Sequence, residues 1–129
     1  MSIRSSNFEQ LANTISILLG EKGCPWDKRQ TFSSLKEHLL SELDELLTAI
    51  DRQDLENVCE ELGDLLYLIL LLSEIGSRNG HFSIDDVMTG INAKLIRRHP
   101  HVFETFAELS DEDLRKQWLR IKSREKSSK

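Results

Sequence analysis

Residues 39–75, LLSELDELLTAIDRQDLENVCEELGDLLYLILLLSEI, decide the fold of this chain. Leucines recur at three- and four-residue steps on both sides of the polar stretch Asp51–Asp54, the spacing of two amphipathic helices joined by a tight turn. So short a connection makes the two an antiparallel pair. Each helix carries two acids at i,i+3: Glu42 with Glu45, and Glu61 with Asp64. Residues three apart share a helical face, so an antiparallel pair can gather all four carboxylates on one patch. Such a patch repels itself unless a hard divalent cation neutralises it, and oxygen-rich sites suit Mg2+ or Mn2+. A solvated acidic face is the other reading. Against it stand the leucine neighbours and the scarcity of cations, with Lys36 alone in the first helix and none from Leu55 to Ile75. Gly63, inside the second pair, costs about 1 kcal/mol of helix stability relative to alanine and leaves room beside the acids.

Working outward, the periodicity predicts about five helices and no β-branched runs. The first covers residues 7–19, with Phe8, Leu11, Ile15, Leu18 and Leu19 on one face. Gly20 to Thr31 reads as a loop, and Thr31 or Ser33 as the cap of a second helix ending near Ile50. The third runs from Leu55 to about Ser77. Its second half, Leu65 to Leu72, is apolar all round and must be covered on every side, on its outer face, in a domain this small, by another subunit. A loop from Gly76 to Phe82 follows, then Ser83 with Asp86 as a capping box and a fourth helix that stops before Pro100. The fifth spans 110–122, and the tail 123–129 is polar, basic and frayed. The expectation is an all-α antiparallel bundle, a single domain over 1–129 with its core in 7–103, completed by dimerisation.

Composition bounds the partners. At 39% hydrophobic and 30% charged residues the chain has a globular, not a disordered, make-up. A net charge of −5 argues against a protein that coats a nucleic-acid polymer, while leaving room for a small phosphorylated ligand. Cys24 and Cys59, without CxxC spacing, read as free thiols of a reducing cytoplasm. The N-terminal residues carry no apolar run, and Leu65 to Leu72 is too short to cross a bilayer. A cytoplasmic protein without a membrane partner is expected.

A basic cluster, Lys94, Arg97, Arg98, His99 and His101, closes the fourth helix. Cations there suit the helix macrodipole in any case. A basic patch beside an acidic metal patch is also what a triphosphate requires, the metal bridging phosphate oxygens and Lys and Arg neutralising the rest. Trp26 and Trp118 lie outside the periodic cores, and two roles are open to them: stacking on a base, or anchoring a loop and a terminal helix. Glu-x-x-His, Walker-type and His-Glu-x-x-His motifs are absent.

Gly-Cys-Pro-Trp-Asp-Lys (23–28), Gln-Thr (30–31), Glu-Leu-Gly-Asp-Leu-Leu (61–66), Gly-His-Phe (80–82) and Lys-Leu-Ile-Arg-Arg-His-Pro-His-Val-Phe (94–103) together resemble the MazG nucleoside triphosphate pyrophosphohydrolases. The resemblance runs from about Ile15 to Phe103 and takes in Trp118. It implies an all-α fold in which helix pairs of two subunits form a four-helix bundle, as a homodimer or dimer of dimers. It further implies Mg2+-dependent hydrolysis of an NTP or dNTP to the monophosphate and pyrophosphate, with Mn2+ as a substitute ion. Glu42, Glu45, Glu61 and Asp64 would be the metal-binding and catalytic acids. Lys94 and Arg98 would meet phosphates and Trp118 the nucleotide; beside them the residues themselves offer Arg97 as a further phosphate group and Trp26 as a further substrate-binding ring. The family's acidic motif opens with a glutamate where this chain has Ser41. That departure sets up a second expectation, a catalytically weakened nucleotide-binding or regulatory protein of the same fold. A purely structural interaction module is a third, and it has no use for the basic cluster.

Overall fold

A computed structural model describes residues 3–128, with side chains from residue 7. Among the described residues the chain is all helical: α1 (Ile3–Leu18), α2 (Pro25–Arg29), α3 (Lys36–Asp51), α4 (Leu55–Arg78), α5 (Ile84–Arg98), α6 (Pro100–Phe103) and α7 (Asp111–Ser127). The count exceeds the expected five because α2 and α6 are short helices inside segments read as irregular. Each opens on a proline at its first position, where the missing N–H has no helical partner to lose. The residues divide into two compact units, Met1–Ile84 and Asp85–Lys129.

In the first unit α3 and α4 pack against each other, and α1 lies on α4. The core joins Ile15 of α1 and Leu19 to Leu35, then to Leu68, Leu70, Leu71 and Ile75 of α4. Within the greasy run Leu65 to Leu72, Leu68, Leu70 and Leu71 are buried in this chain's own core, whereas Leu66 and Ile69 stay exposed. Large apolar side chains also remain exposed elsewhere on the pair: Leu40, Leu43 and Leu47 on α3, and Leu62 on α4.

Three local devices set the positions of these helices. Neither Thr31 nor Ser33 caps α3, whose N-cap is Leu35 without a side-chain bond. Thr31 and Ser34 instead bond reciprocally, Thr31 N–H to Ser34 Oγ at 2.8 Å and Ser34 N–H to Thr31 Oγ1 at 3.1 Å, and this closes a turn ahead of the helix. Between α3 and α4 the chain reverses through Gln53 at φ 55°, a left-handed conformation that disfavours side chains. Asp54 then caps α4 by accepting Asn57 N–H at 3.2 Å. Finally, buried Asp27 of α2 accepts the hydroxyl of Tyr67 on α4, which ties the Pro25–Arg29 helix to the core.

In the second unit Ser110 caps α7, accepting Asp113 N–H at 3.1 Å, as the sequence led us to expect. The helix continues through Ser127, past the expected end at residue 122. The reason is long-range: Glu125, in the supposed tail, pairs with Arg97 and Arg98 of α5. No described helix is long and apolar enough to cross a membrane.

Two glycines separate backbone necessity from open space. A Cβ at Gly23 would collide with the Leu18 carbonyl and fall 2.6 Å from Ile17 O, breaking the turn in which Cys24 N–H bonds Leu18 O at 2.8 Å. A Cβ at Gly63 would meet nothing within 4 Å. Gly23→Ala is expected to destabilise the protein by about 2 kcal/mol. Gly63→Ala should stabilise it by about 1 kcal/mol. Thermal denaturation of the two variants should therefore shift in opposite directions.

Candidate metal centre

The four acids do converge. One carboxylate oxygen from each of Glu42, Glu45, Glu61 and Asp64 lies within 4.8 Å of the others. The i,i+3 spacing on each helix, the Gln53 turn and the α3–α4 packing produce this directly: each helix contributes two acids to the shared side of the pair. Glu45 and Asp64 are exposed, and Glu42 and Glu61 half-buried. Glu42 and Glu61 each bury Oε2 with no hydrogen-bond partner. A buried carboxylate oxygen without a partner is costly. Oxygen-only donors with two orphaned atoms fit a hard divalent cation.

The crowding shows in the titration of the acids. Burial pushes the Glu61 carboxyl up to about 7, and Glu45, Glu42 and Asp64 add to the rise. Burial also raises Glu42, with Glu45 and Asp64 acting in the same direction and its contact with Glu61 opposing them. Nearby, the Trp26 ring packs on the core cluster and meets His38 edge-on, with ring centroids 5.2 Å apart. His38 precedes Glu42 by one helical turn on α3.

The remaining candidates lie in the second unit. Arg98 and Trp118 line one cleft of about 380 Å3 with His99, His101 and Gln117. His101 is engaged by Gln117, whose Nε2 lies 2.9 Å from Nδ1, and His99 Nδ1 lies 2.6 Å from Leu95 O. Arg97 lines a second cleft, of about 560 Å3, with Arg120 and Arg124. Lys94 is half-buried and makes no ion pair among the described residues. Two further groups were passed over in the sequence. Lys122 sits with Nζ 4.4 Å from the Trp118 ring centroid, a cation–π contact whose i,i+4 spacing was there to be read. Glu125 gave no local signal, because its partners lie 27 and 28 residues away.

Residues 30–103 match the profile of the MazG nucleotide pyrophosphohydrolase domain, and the chain belongs to that family. It is 46% identical over 121 residues to the protein YabN of Bacillus subtilis (strain 168), covering 94% of this chain and 25% of that protein. It is 43% identical over 122 residues to the nucleoside triphosphate pyrophosphohydrolase/pyrophosphatase MazG of Thermotoga maritima, covering 95% of this chain and 46% of the relative. The nucleoside triphosphate pyrophosphohydrolase of Escherichia coli (strain K12) is 43% identical over 110 residues, 84% of this chain and 41% of its own length. The chain thus spans half or less of the curated relatives it matches. Its fold is similar to the crystal structure of a mazG-related protein from Thermotoga maritima, with a TM-score of 0.77 at 30% identity over 89% of this chain and 98% of that one.

The raised Glu61 carboxyl has a stability consequence of definite sign. The folded protein holds this proton up to about pH 7, whereas the unfolded chain releases it near 4.5. Its contribution to stability is complete below 4.5 and is lost as pH rises through 7. In chelator-treated protein the melting midpoint should fall as pH rises from 4.5 through 7; thermal melts across that range check it.

Proposed function

We propose that this domain is a Mg2+-dependent nucleoside triphosphate pyrophosphohydrolase, a hydrolase of acid anhydrides that cleaves NTP or dNTP to the monophosphate and pyrophosphate. The observation that carries the reading is the convergence of Glu42, Glu45, Glu61 and Asp64 within 4.8 Å, with two buried oxygens lacking partners. In this reading the four acids hold the cation, and Mn2+ can replace Mg2+. A bound Mg2+ supplies Lewis acidity, neutralising charge on phosphate oxygens and acidifying water. Lys94, Arg97 and Arg98 bind phosphate oxygens and stabilise the pyrophosphate as it leaves. Trp118 and Trp26 offer aromatic faces to the nucleoside.

The unit of function is the whole chain, 1–129, as one MazG-like domain. The exposed leucines of α3 and α4 support a homodimer or dimer of dimers, in which two such helix pairs make a four-helix bundle. We place the protein in the cytoplasm. Ser41 supports a second reading, a weakened catalyst that binds nucleotide without turning it over.

Product analysis with a panel of NTPs and dNTPs, with and without Mg2+, separates the two. Metal-dependent monophosphate and pyrophosphate support the first; binding without turnover, with activity gained in Ser41→Glu, supports the second. Release of diphosphate and orthophosphate defeats both. Glu61→Ala and Asp64→Ala are each expected to abolish turnover and Mg2+ binding in a protein that still folds, as read by calorimetry and circular dichroism. Retained activity in both would remove the acids from the site.

A further inference from the structure

Glu125 stands on α7, yet its carboxylate is shared by two neighbouring arginines of α5. Arg97 donates from Nε to Oε2 at 2.5 Å. Arg98 donates to Oε1 from Nη2 at 2.8 Å and from Nε at 3.3 Å. One oxygen therefore serves each guanidinium. The Glu125 side chain is 18% exposed and Arg98 20%, whereas Arg97 is 52% exposed. Held between two cations, the Glu125 carboxyl falls to about 2 and stays ionised through the neutral range.

The direction of the grip matters. A guanidinium carries five N–H donors in a rigid fork. Arg97 gives Glu125 only its Nε–H; Arg98 gives its Nε–H and one Nη2–H. The carboxylate thus holds both groups largely by their Nε edges, leaving the Nη ends with donors to spare. Phosphate oxygens are bound best by such paired, fixed donors. Without Glu125, adjacent like charges at the end of α5 would move apart, and two long side chains would have to be ordered by the ligand itself.

We propose that Glu125 is a positioning residue, which fixes Arg97 and Arg98 from α7 so that their spare Nη donors are held ready for phosphate oxygens of the substrate and of pyrophosphate. The inference rests on the reading of these arginines as phosphate-binding groups and adds the device that organises them.

The test is calorimetric titration of inorganic pyrophosphate with Mg2+ into the full chain, alongside KM and kcat for a nucleoside triphosphate. E125Q is expected to weaken pyrophosphate binding about tenfold, the effect of a lost charge-assisted hydrogen bond, and to raise KM with little change in kcat. E125D keeps the charge on a shorter arm and should recover part of the loss; it also carries the comparison if E125Q folds poorly. In an R97A/R98A background E125Q should add nothing. Tighter pyrophosphate binding in E125Q would make Glu125 a competing counter-charge and overturn the proposal. An equal loss in both backgrounds, with a lowered melting midpoint, would reduce it to a brace for α7 and overturn it too. Should R97A/R98A itself bind pyrophosphate like the unaltered protein, the phosphate reading of the arginines fails, and this inference with it. Weakened binding in R97A/R98A but not in E125Q would reject the positioning role alone.

Discussion

Four like charges pressed into one patch are the constraint on which the first unit depends. Carboxylates with oxygens within 4.8 Å of one another repel, and the apolar packing of the first unit has to outweigh that repulsion. Leu35, Leu68 and Leu71 supply that packing from the pair itself, and Ile15 and Leu19 close it from the α1 side. The electrostatic cost is lowered because one acid keeps a proton near neutrality. Burial and self-repulsion both raise the Glu61 carboxyl.

The second unit solves the opposite problem. It places Arg97 and Arg98 side by side and stabilises them with an acid from a distant helix. Half-exposed pairs of this kind owe much of their value to geometry, since the cost of ordering long side chains is set against a modest attraction. Here the geometry is specific, with each oxygen assigned to one arginine. The same contact accounts for the order of a segment that its composition marks as a fraying tail.

Much of this was legible because it depends on short-range periodicity. Leucine spacing defined α3 and α4, the brief polar stretch between them made them antiparallel, and i,i+3 acids on both could then meet on one patch. Ser110 announced α7 by its side chain and the acids after it. What escaped notice has a common cause. The Thr31–Ser34 turn uses the same residues as a helix cap, and only the backbone path distinguishes the two. The prolines at 25 and 100 look like breakers but open helices, because each stands at a first position. The cover of α4 by α1, and the capture of Arg97 and Arg98 by Glu125, join residues far apart in sequence, where periodicity carries no information.

The two tryptophans fall one to each unit. Trp26 sits against His38, one turn from Glu42, and Trp118 lies beneath the Lys122 ammonium in the other unit. Each unit therefore carries its own built-in fluorophore next to an ionisable side chain. Replacing one indole leaves the other as the single tryptophan reporter of its own unit. With either indole replaced by phenylalanine, changes around His38 and around Lys122 can be followed apart, in solution and without a label.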